Sequence, residues 1–254
     1  MIEFLIHYNM KKSKTRIFVE KTLSANLMVY IKDKQHHFLK NVIRLKINDK
    51  LLTFDDKTGE WLCRVMSVNR DNIVIQILEK TRDFKKEPDI WLIFAPIKQH
   101  RLNITIQKAT ELGVSKLIPC ITDYTNNSNL NYKNLSLNII EAAEQSERLS
   151  LPTIEKKVTL DDLIYNYPKD RCIVFCDERK LSNISMFDAI KSKKNFFSKW
   201  SILIGPEGGF SESETEKIKK MNNCLPVSLG RRVLRSDTAT IASLFCLQSL
   251  IDID

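Results

Sequence analysis

The sequence predicts an α/β protein in two parts: a small N-terminal β-barrel, then a layered α/β domain with a mostly parallel sheet. Three observations carry that expectation. Short strand-like segments with little helical periodicity crowd residues 16–80. From residue 89 onward, short apolar runs alternate with helical patterns. The excess of positive charge is confined to the first third of the chain.

In the first part, Lys50–Asp55 and 61–68 flank Asp56-Lys57-Thr58-Gly59-Glu60, a hairpin turn with a glycine available for positive φ. Asn69-Arg70-Asp71-Asn72 then leads into 73–78, rich in β-branched residues. The stretch 81–88 (TRDFKKEP) is charged, lacks an apolar period and ends in proline. It is the expected linker between a domain at 1–80 and a domain at 89–254. In the second part, 91–95 is a buried-strand candidate, and Leu102, Ile106 and Ala109 mark one face of a helix ending near Gly113. Lys116–Ile121 is the next strand. A helix is expected over 134–149, carrying Glu144 and Arg148 four residues apart as a surface pair or an RNA contact. Further strands are expected at 172–176, 201–204 and 226–229. Ser211-Glu212-Ser213-Glu214 has capping-box spacing, and an apolar helix over 238–251 has Ser236 or Asp237 placed to cap it.

Net charge is +9 over 254 residues. Residues 1–86 hold 18 Lys/Arg against 10 Asp/Glu, whereas the remainder holds 22 against 21. A segregated excess of this kind points to a polyanionic partner rather than to solubility alone. No apolar run approaches the ~20 residues that span a bilayer, so no membrane association is expected. Residues 1–14 show no signal-peptide pattern, their apolar run being interrupted by Glu3 and His7. The six cysteines (63, 120, 172, 176, 224 and 246) form no Cys-x-x-Cys pair, which indicates neither zinc nor a disulfide framework. Buried free thiols in a reducing cytoplasm are the expectation. His36-His37 lacks the further ligands that a metal site needs, so no metal is expected. Trp61 and Trp91 read as core residues.

Ligands of such sheets bind at loops leaving the carboxyl ends of strands, and two of those loops carry unusual residues. The first is Leu203-Ile204-Gly205-Pro206-Glu207-Gly208-Gly209-Phe210. Its three glycines leave the main chain open to a ligand, but it has neither P-loop nor Gly-x-Gly-x-x-Gly spacing. A glycine turn before a capped helix is the alternative. The second is Leu229-Gly230-Arg231-Arg232-Val233-Leu234-Arg235-Ser236-Asp237-Thr238-Ala239, where three arginines suit a phosphate or a developing anion. Here the alternative is a solvated basic loop with Asp237 as a helix cap.

The pair LIGPEGGFSESE and LGRRVLRSDTA, with IQKATELGVSKLIP at 106–119 and EQSERLSLP at 144–152, closely resembles the RsmE family, the 16S ribosomal RNA uracil-N3 methyltransferases of the SPOUT superfamily. The resemblance runs from about residue 4 to the C-terminus. Two stretches depart from the family pattern. Thr122-Asp123-Tyr124-Thr125 stands where a Thr-Glu-Arg-Ser type of stretch is usual, and Arg235-Ser236-Asp237-Thr238 stands where many relatives have Arg-Thr-Glu-Thr.

The resemblance implies a PUA-like N-terminal barrel, a C-terminal SPOUT domain tied in a deep trefoil knot, and a cytoplasmic homodimer acting on 16S rRNA of the small ribosomal subunit. It implies methylation of uridine N3 (m3U1498) with S-adenosylmethionine as co-substrate and no metal. The loops matching 203–209 and 229–239 then hold the methyl donor, through Ile204, Gly205, Glu207, Gly208, Gly209, Leu229, Gly230, Val233, Leu234, Thr238 and Ala239. Arg235 is the candidate for stabilising the uracil anion, and Asp237 the candidate proton acceptor. Candidates for contact with RNA are Arg16, Arg44, Lys98, Arg101, Lys108, Arg231 and Arg232. Two other classes remain: an RNA-binding protein without a donor pocket, and a nucleotide-binding enzyme using the glycine loop for phosphate. The intact second loop argues against the first, and the missing lysine and spacing argue against the second.

Overall fold

The computed structural model describes residues 15–126, 129–176 and 184–251. The stretch 1–14, read above for a leader pattern, lies outside them. The described residues up to Lys86, together with Ala143–Leu151, form one compact unit; Glu87–Ala142 and the described residues from Pro152 onward form a second.

The first unit contains β1 (Arg16–Phe18), β2 (Met28–Ile31), α1 (Asp33–His37) continuing into a π-helical turn at Phe38–Ile43, β3 (Lys50–Asp55), β4 (Gly59–Val68) and β5 (Ile73–Asp83). The strands order as β1-β3-β4-β5-β2, with β1 parallel to β3 and the other pairings antiparallel. Alternation along β4 buries Trp61, Cys63 and Val65 and exposes Arg64 and Met66, the period that puts one face of a strand into a core. That core includes Ile17, Leu39, Leu51, Val65, Ile73 and Ile75. Register shifts between β4 and β5 at three places bend and twist the pair. The ends of the ladder, β1 and β2, are not hydrogen-bonded to each other among the described residues, so the expected barrel is an open five-stranded sheet in its pairing. Asp55 closes the β3–β4 turn by accepting hydrogen bonds from the N–H groups of Lys57, Thr58 and Gly59 and, on its second oxygen, from Leu23. Burial alone would raise its pKa; those donors outweigh it and hold the carboxyl below the usual range.

A buried charge cluster corrects three expectations. Glu60 is 2% exposed and accepts from Arg16 Nε at 2.6 Å, Arg82 Nη2 at 2.6 Å and Thr81 Oγ1 at 3.0 Å. Thr81 and Arg82 therefore belong to β5, which runs to Asp83, and the start of the expected linker is strand. Arg16 is no RNA contact: it is 7% exposed. Its Nη1 and Nη2 donate to the carbonyls of Ala143 and Arg148 at 2.8 and 2.6 Å, and its guanidinium stacks on Phe54 at 3.7 Å. Nor do Glu144 and Arg148 share a helix, which ends at Gln145. Glu147 adopts φ 59°, ending the helix short of 149. Glu144 Oε1 accepts from Phe18 N at 2.9 Å and Gln35 Nε2 at 3.0 Å, while the buried Arg148 donates from Nε to Ser150.

The second unit alternates as expected: β6 (Ile90–Phe94), α2 (Gln99–Glu111), β7 (Lys116–Ile121), α3 (Tyr132–Gln145, its last turn counted with the first unit), β8 (Thr153–Ile154), β9 (Val158–Thr159), α4 (Leu160–Tyr165), β10 (Arg171–Cys176), α5 (Met186–Lys193), β11 (Lys199–Ile204), α6 (Glu212–Lys219), β12 (Cys224–Val227) and α7 (Ser236–Ile251). Its sheet orders β12-β10-β11-β6-β7-β8 with β9 also on β7, and every pairing is parallel. The strands read as continuous apolar runs because both faces are covered; β11 is buried from Trp200 to Ile204. β12 begins two residues earlier than expected, and α7 starts at Ser236 rather than Thr238.

One prediction concerns the charge cluster. Burial alone would raise the Glu60 pKa, but hydrogen bonds from Arg82 and Arg16 together outweigh it and lower the pKa. Because the folded value is depressed, the stabilisation is complete above the ordinary glutamate value of 4.5 and is lost as pH falls through the folded value. Glu60→Gln leaves Arg16 without its counter-charge and should cost roughly 3–5 kcal/mol, flattening the acid limb of stability. Denaturant unfolding of both proteins at neutral and acid pH measures this. Equal stabilities at neutral pH would refute it.

Candidate active site

The two unusual loops leave the carboxyl ends of β11 and β12, which lie on either side of β10 in the sheet. The first folds back on itself: Gly209 N donates to Pro206 O at 3.0 Å with Gly209 at φ 70°. Phe210 then turns into the core, edge-on to Phe175 at 5.2 Å. Gly205 lies directly against that ring; a Cβ there would sit 2.7 Å from it. α6 follows with the expected capping box, Glu214 N donating to Ser211 Oγ and Ser211 N to Glu214 Oε2. Glu214 does more than the spacing shows. It is 5% exposed, and its Oε1 accepts from Asp123 N at 2.8 Å, tying the loop after β7 to α6. Tyr124 in that loop lies against Gly208, where a Cβ would come within 3.2 Å of Tyr124 Cβ.

The second loop begins at Ser228, which bridges Ser185 and accepts from Gly230 N on its hydroxyl. Gly230 takes φ 110° with open space where a side chain would start, a conformation that L residues rarely adopt. α7 then begins, Ala239 N donating to Arg235 O at 2.7 Å.

Between the loops lies a cavity of about 170 Å³ lined by Cys176, Ile204, Gly205, Pro206, Glu207, Ser228, Leu229, Gly230, Arg232, Val233, Leu234, Arg235, Ser236 and Ala239. Pockets that enclose a small ligand usually exceed ~300 Å³, so a nucleoside-sized ligand is only partly enclosed here. Eight of the expected donor contacts line the cavity: Ile204, Gly205, Glu207, Leu229, Gly230, Val233, Leu234 and Ala239. Gly208, Gly209 and Thr238 do not; Gly208 faces Tyr124 instead. Pro206, Ser228, Ser236 and Cys176 are additions. Cys176 ends β10, so the rule that ligands gather at strand carboxyl ends was the available signal. Burial pushes its thiol up to about 12, which keeps it protonated and unsuited as a nucleophile.

Of the two catalytic candidates, Arg235 lines the cavity and is exposed, and its side chain has no partner among the described residues. Asp237 does not line it. Its Oδ1 accepts from Thr238 N at 3.0 Å in the first turn of α7, where an acid complements the helix dipole. The basic candidates divide as well. Arg44, Lys98, Arg231 and Arg232 are exposed. Lys108 is engaged by Glu111 at 2.9 Å and Arg101 by Glu207 at 3.1 Å.

The cavity lacks a metal cluster or a reactive thiolate among its described residues. It offers backbone groups between apolar walls (Ile204, Leu229, Leu234, Ala239), a helix N-terminus, two arginines and one acid. That donor set fits a nucleoside-like cofactor with an amino-acid tail, such as S-adenosylmethionine, held by main chain at its polar edges.

Comparison with known proteins gives a consistent picture. Residues 85–248 match the family described as an RNA methyltransferase domain, and residues 31–78 match the RNA methyltransferase PUA domain. The ribosomal RNA small subunit methyltransferase E of Rickettsia conorii is 34% identical over 90% of this chain and 93% of its own length. Its counterpart from Buchnera aphidicola is 30% identical over 94% of this chain and 97% of its own. Among solved structures, a ribosomal RNA small subunit methyltransferase E from Neisseria gonorrhoeae bound to S-adenosylmethionine aligns with a TM-score of 0.81 at 25% identity, covering 94% of this chain and 99% of that one. A Legionella pneumophila methyltransferase, also with bound cofactor, aligns at 0.81 and 25% over 92% and 97%.

The second prediction concerns Glu214. Its truncation in Glu214→Ala strips acceptors from the N–H groups of Asp123 and Ser211, and should cost about 1–3 kcal/mol. Chemical denaturation is the measurement, and an unchanged midpoint would show that neither bond matters.

Proposed function

This chain belongs to the ribosomal RNA small subunit methyltransferase E family, and from that premise we propose that it transfers the methyl group of S-adenosylmethionine to N3 of a uridine in 16S rRNA, the position conventionally numbered 1498. The cavity between the β11 and β12 loops carries the reading, because it joins a glycine-bearing, apolar-walled pocket to Arg232 and Arg235, which have no side-chain partner among the described residues. The donor supplies a methyl group on a positively charged sulfur. The chain's own residues do the rest. Ile204, Leu229, Leu234 and Ala239 provide apolar walls, and the Gly205 and Gly230 backbones allow close approach. Uracil N3 attacks as an imide anion, so charge is neutralised as the bond forms and a water-poor site favours the step. Arg235, at the cavity and beside the α7 N-terminus, is placed to stabilise that anion through the uracil oxygens. The target base must leave its stack to present its pairing edge.

RNA affinity is assigned to the basic first unit, with Arg44 exposed there, and to Lys98, Arg231 and Arg232 of the second. The knot is read at the same place as the cavity: loops from two strands separated by β10 surround one pocket, and α7 returns to pack on α2 and β11. A homodimer is supported by α7 itself, which is apolar on most of its surface and exposes Ile241 and Phe245, the latter 64% accessible. A helix of that kind ordinarily has a partner on its open side. Among the described residues no helix is long and apolar enough to cross a membrane. The cytoplasm is the location that a small-subunit rRNA substrate requires.

The expected outcome for Arg235 follows from charge and shape. Arg235→Ala should lower the single-turnover methylation rate of small-subunit rRNA by about 10²–10³-fold, as does removal of one donor to an anion in comparable sites, with donor affinity changed only a few-fold. Arg235→Lys keeps the charge but loses the planar fork, and should fall between. Rapid-quench kinetics with calorimetry of donor binding separates these effects. A full rate in Arg235→Ala would make the residue structural.

A further inference from the structure

The methyl-transfer reading leaves one requirement unmet: something must accept the N3 proton. Asp237, the acid flagged from the sequence, is turned to Thr238 N and does not line the cavity. Glu207 does line it, and it is the only acidic residue among the described residues that do. Its carboxylate stands at the rim, 38% exposed, with Oε1 3.1 Å from Arg101 Nη1. Arg101 lies in the first turn of α2, so the rim acid is gripped from a helix outside its own loop. Among the described residues, the other charged or titratable groups around it are Arg232, Arg235 and Cys176 on the cavity wall and Tyr124 against Gly208. Both arginines suit an anion, and burial keeps the Cys176 thiol protonated.

Resting on the methyl-transfer reading above, the geometry points to Glu207 as the general base for uracil N3, with Arg101 as the positioning residue that holds its carboxylate at the rim. The N3–H bond breaks with its proton going to a Glu207 oxygen. The nitrogen lone pair forms the N–CH3 bond, and the methyl–sulfur bond breaks with its electron pair left on sulfur. The products are N3-methyluridine, a neutral thioether and a protonated Glu207, so atoms and charge balance. This assignment explains why the rim acid is tethered by one oxygen only: Oε2 has no partner among the described residues.

The test is single-turnover methylation of small-subunit rRNA by the full chain between about pH 7 and about pH 9, with calorimetry of S-adenosylmethionine binding alongside. Glu207→Gln should be slower by roughly a hundredfold or more at neutral pH. Its deficit should shrink by about tenfold per pH unit as solvent takes over the proton, with donor affinity within a few-fold of native. Arg101→Ala should lose less rate, and Arg101→Lys should recover part of that loss. An unchanged rate in Glu207→Gln, or a deficit equal at every pH, overturns the base assignment. Loss of donor binding in that variant overturns it too, making Glu207 a donor contact. A native protein that fails to bind the donor removes the underlying reading instead.

Discussion

Every strand of the second sheet runs in one direction, and that polarity decides where a ligand can bind. It gathers the loops after β7, β11 and β12 and the end of β10 on one edge and leaves the opposite edge to be sealed by side chains. Arg171, at the start of β10 and 2% exposed, is part of that seal. It donates to the carbonyls of Asp89 and Trp200 at 2.9 and 2.8 Å, pairs with the Asp89 carboxylate at 2.6 Å and stacks on Trp91 at 3.6 Å. Three neighbouring strands are thereby pinned at their amino ends. The loops that line the cavity leave the carboxyl ends of that sheet.

The two units spend charge in opposite ways. In the first, Arg16 and Glu60 pair in the interior with the half-exposed Arg82 closing over Glu60, and the desolvation of the buried pair is offset because each of their charged atoms finds a partner. In the second, Arg232, Arg235 and Glu207 stay at a cavity rim where water screens them until a ligand displaces it. Buried, fully partnered charge holds a shape; exposed charge beside a pocket is available for recognition.

That contrast also explains what is legible in the sequence. Lys116–Ile121 and Lys50–Asp55 follow from local apolar pattern, and the structure keeps their limits. The two glycine-bearing loops are legible because Gly205, Gly230 and the arginines are rare residues in close spacing, and the cavity lies between them. Long-range pairing is not legible. Arg16 reads as a basic surface residue until Glu60 and the Ala143 and Arg148 carbonyls surround it. TRD at 81–83 reads as linker because its strand is held by a buried acid some twenty positions away rather than by apolar alternation. The helix end at Glu147 depends on a left-handed residue with no glycine to announce it. By sequence Asp237 is the acid expected to take the proton and Glu207 a donor contact, and only side-chain direction, Asp237 to Thr238 N and Glu207 to Arg101 at the cavity, tells them apart.

The central claim, that this chain methylates N3 of a uridine in small-subunit rRNA, is tested most directly by the product. Small ribosomal subunits lacking the modification would be incubated with the purified protein and S-adenosylmethionine carrying an isotopically labelled methyl group. The rRNA would then be digested to nucleosides and resolved by chromatography and mass spectrometry. The account predicts label in N3-methyluridine alone. Label on uracil C5 or on a ribose oxygen, or none in the rRNA, would contradict it.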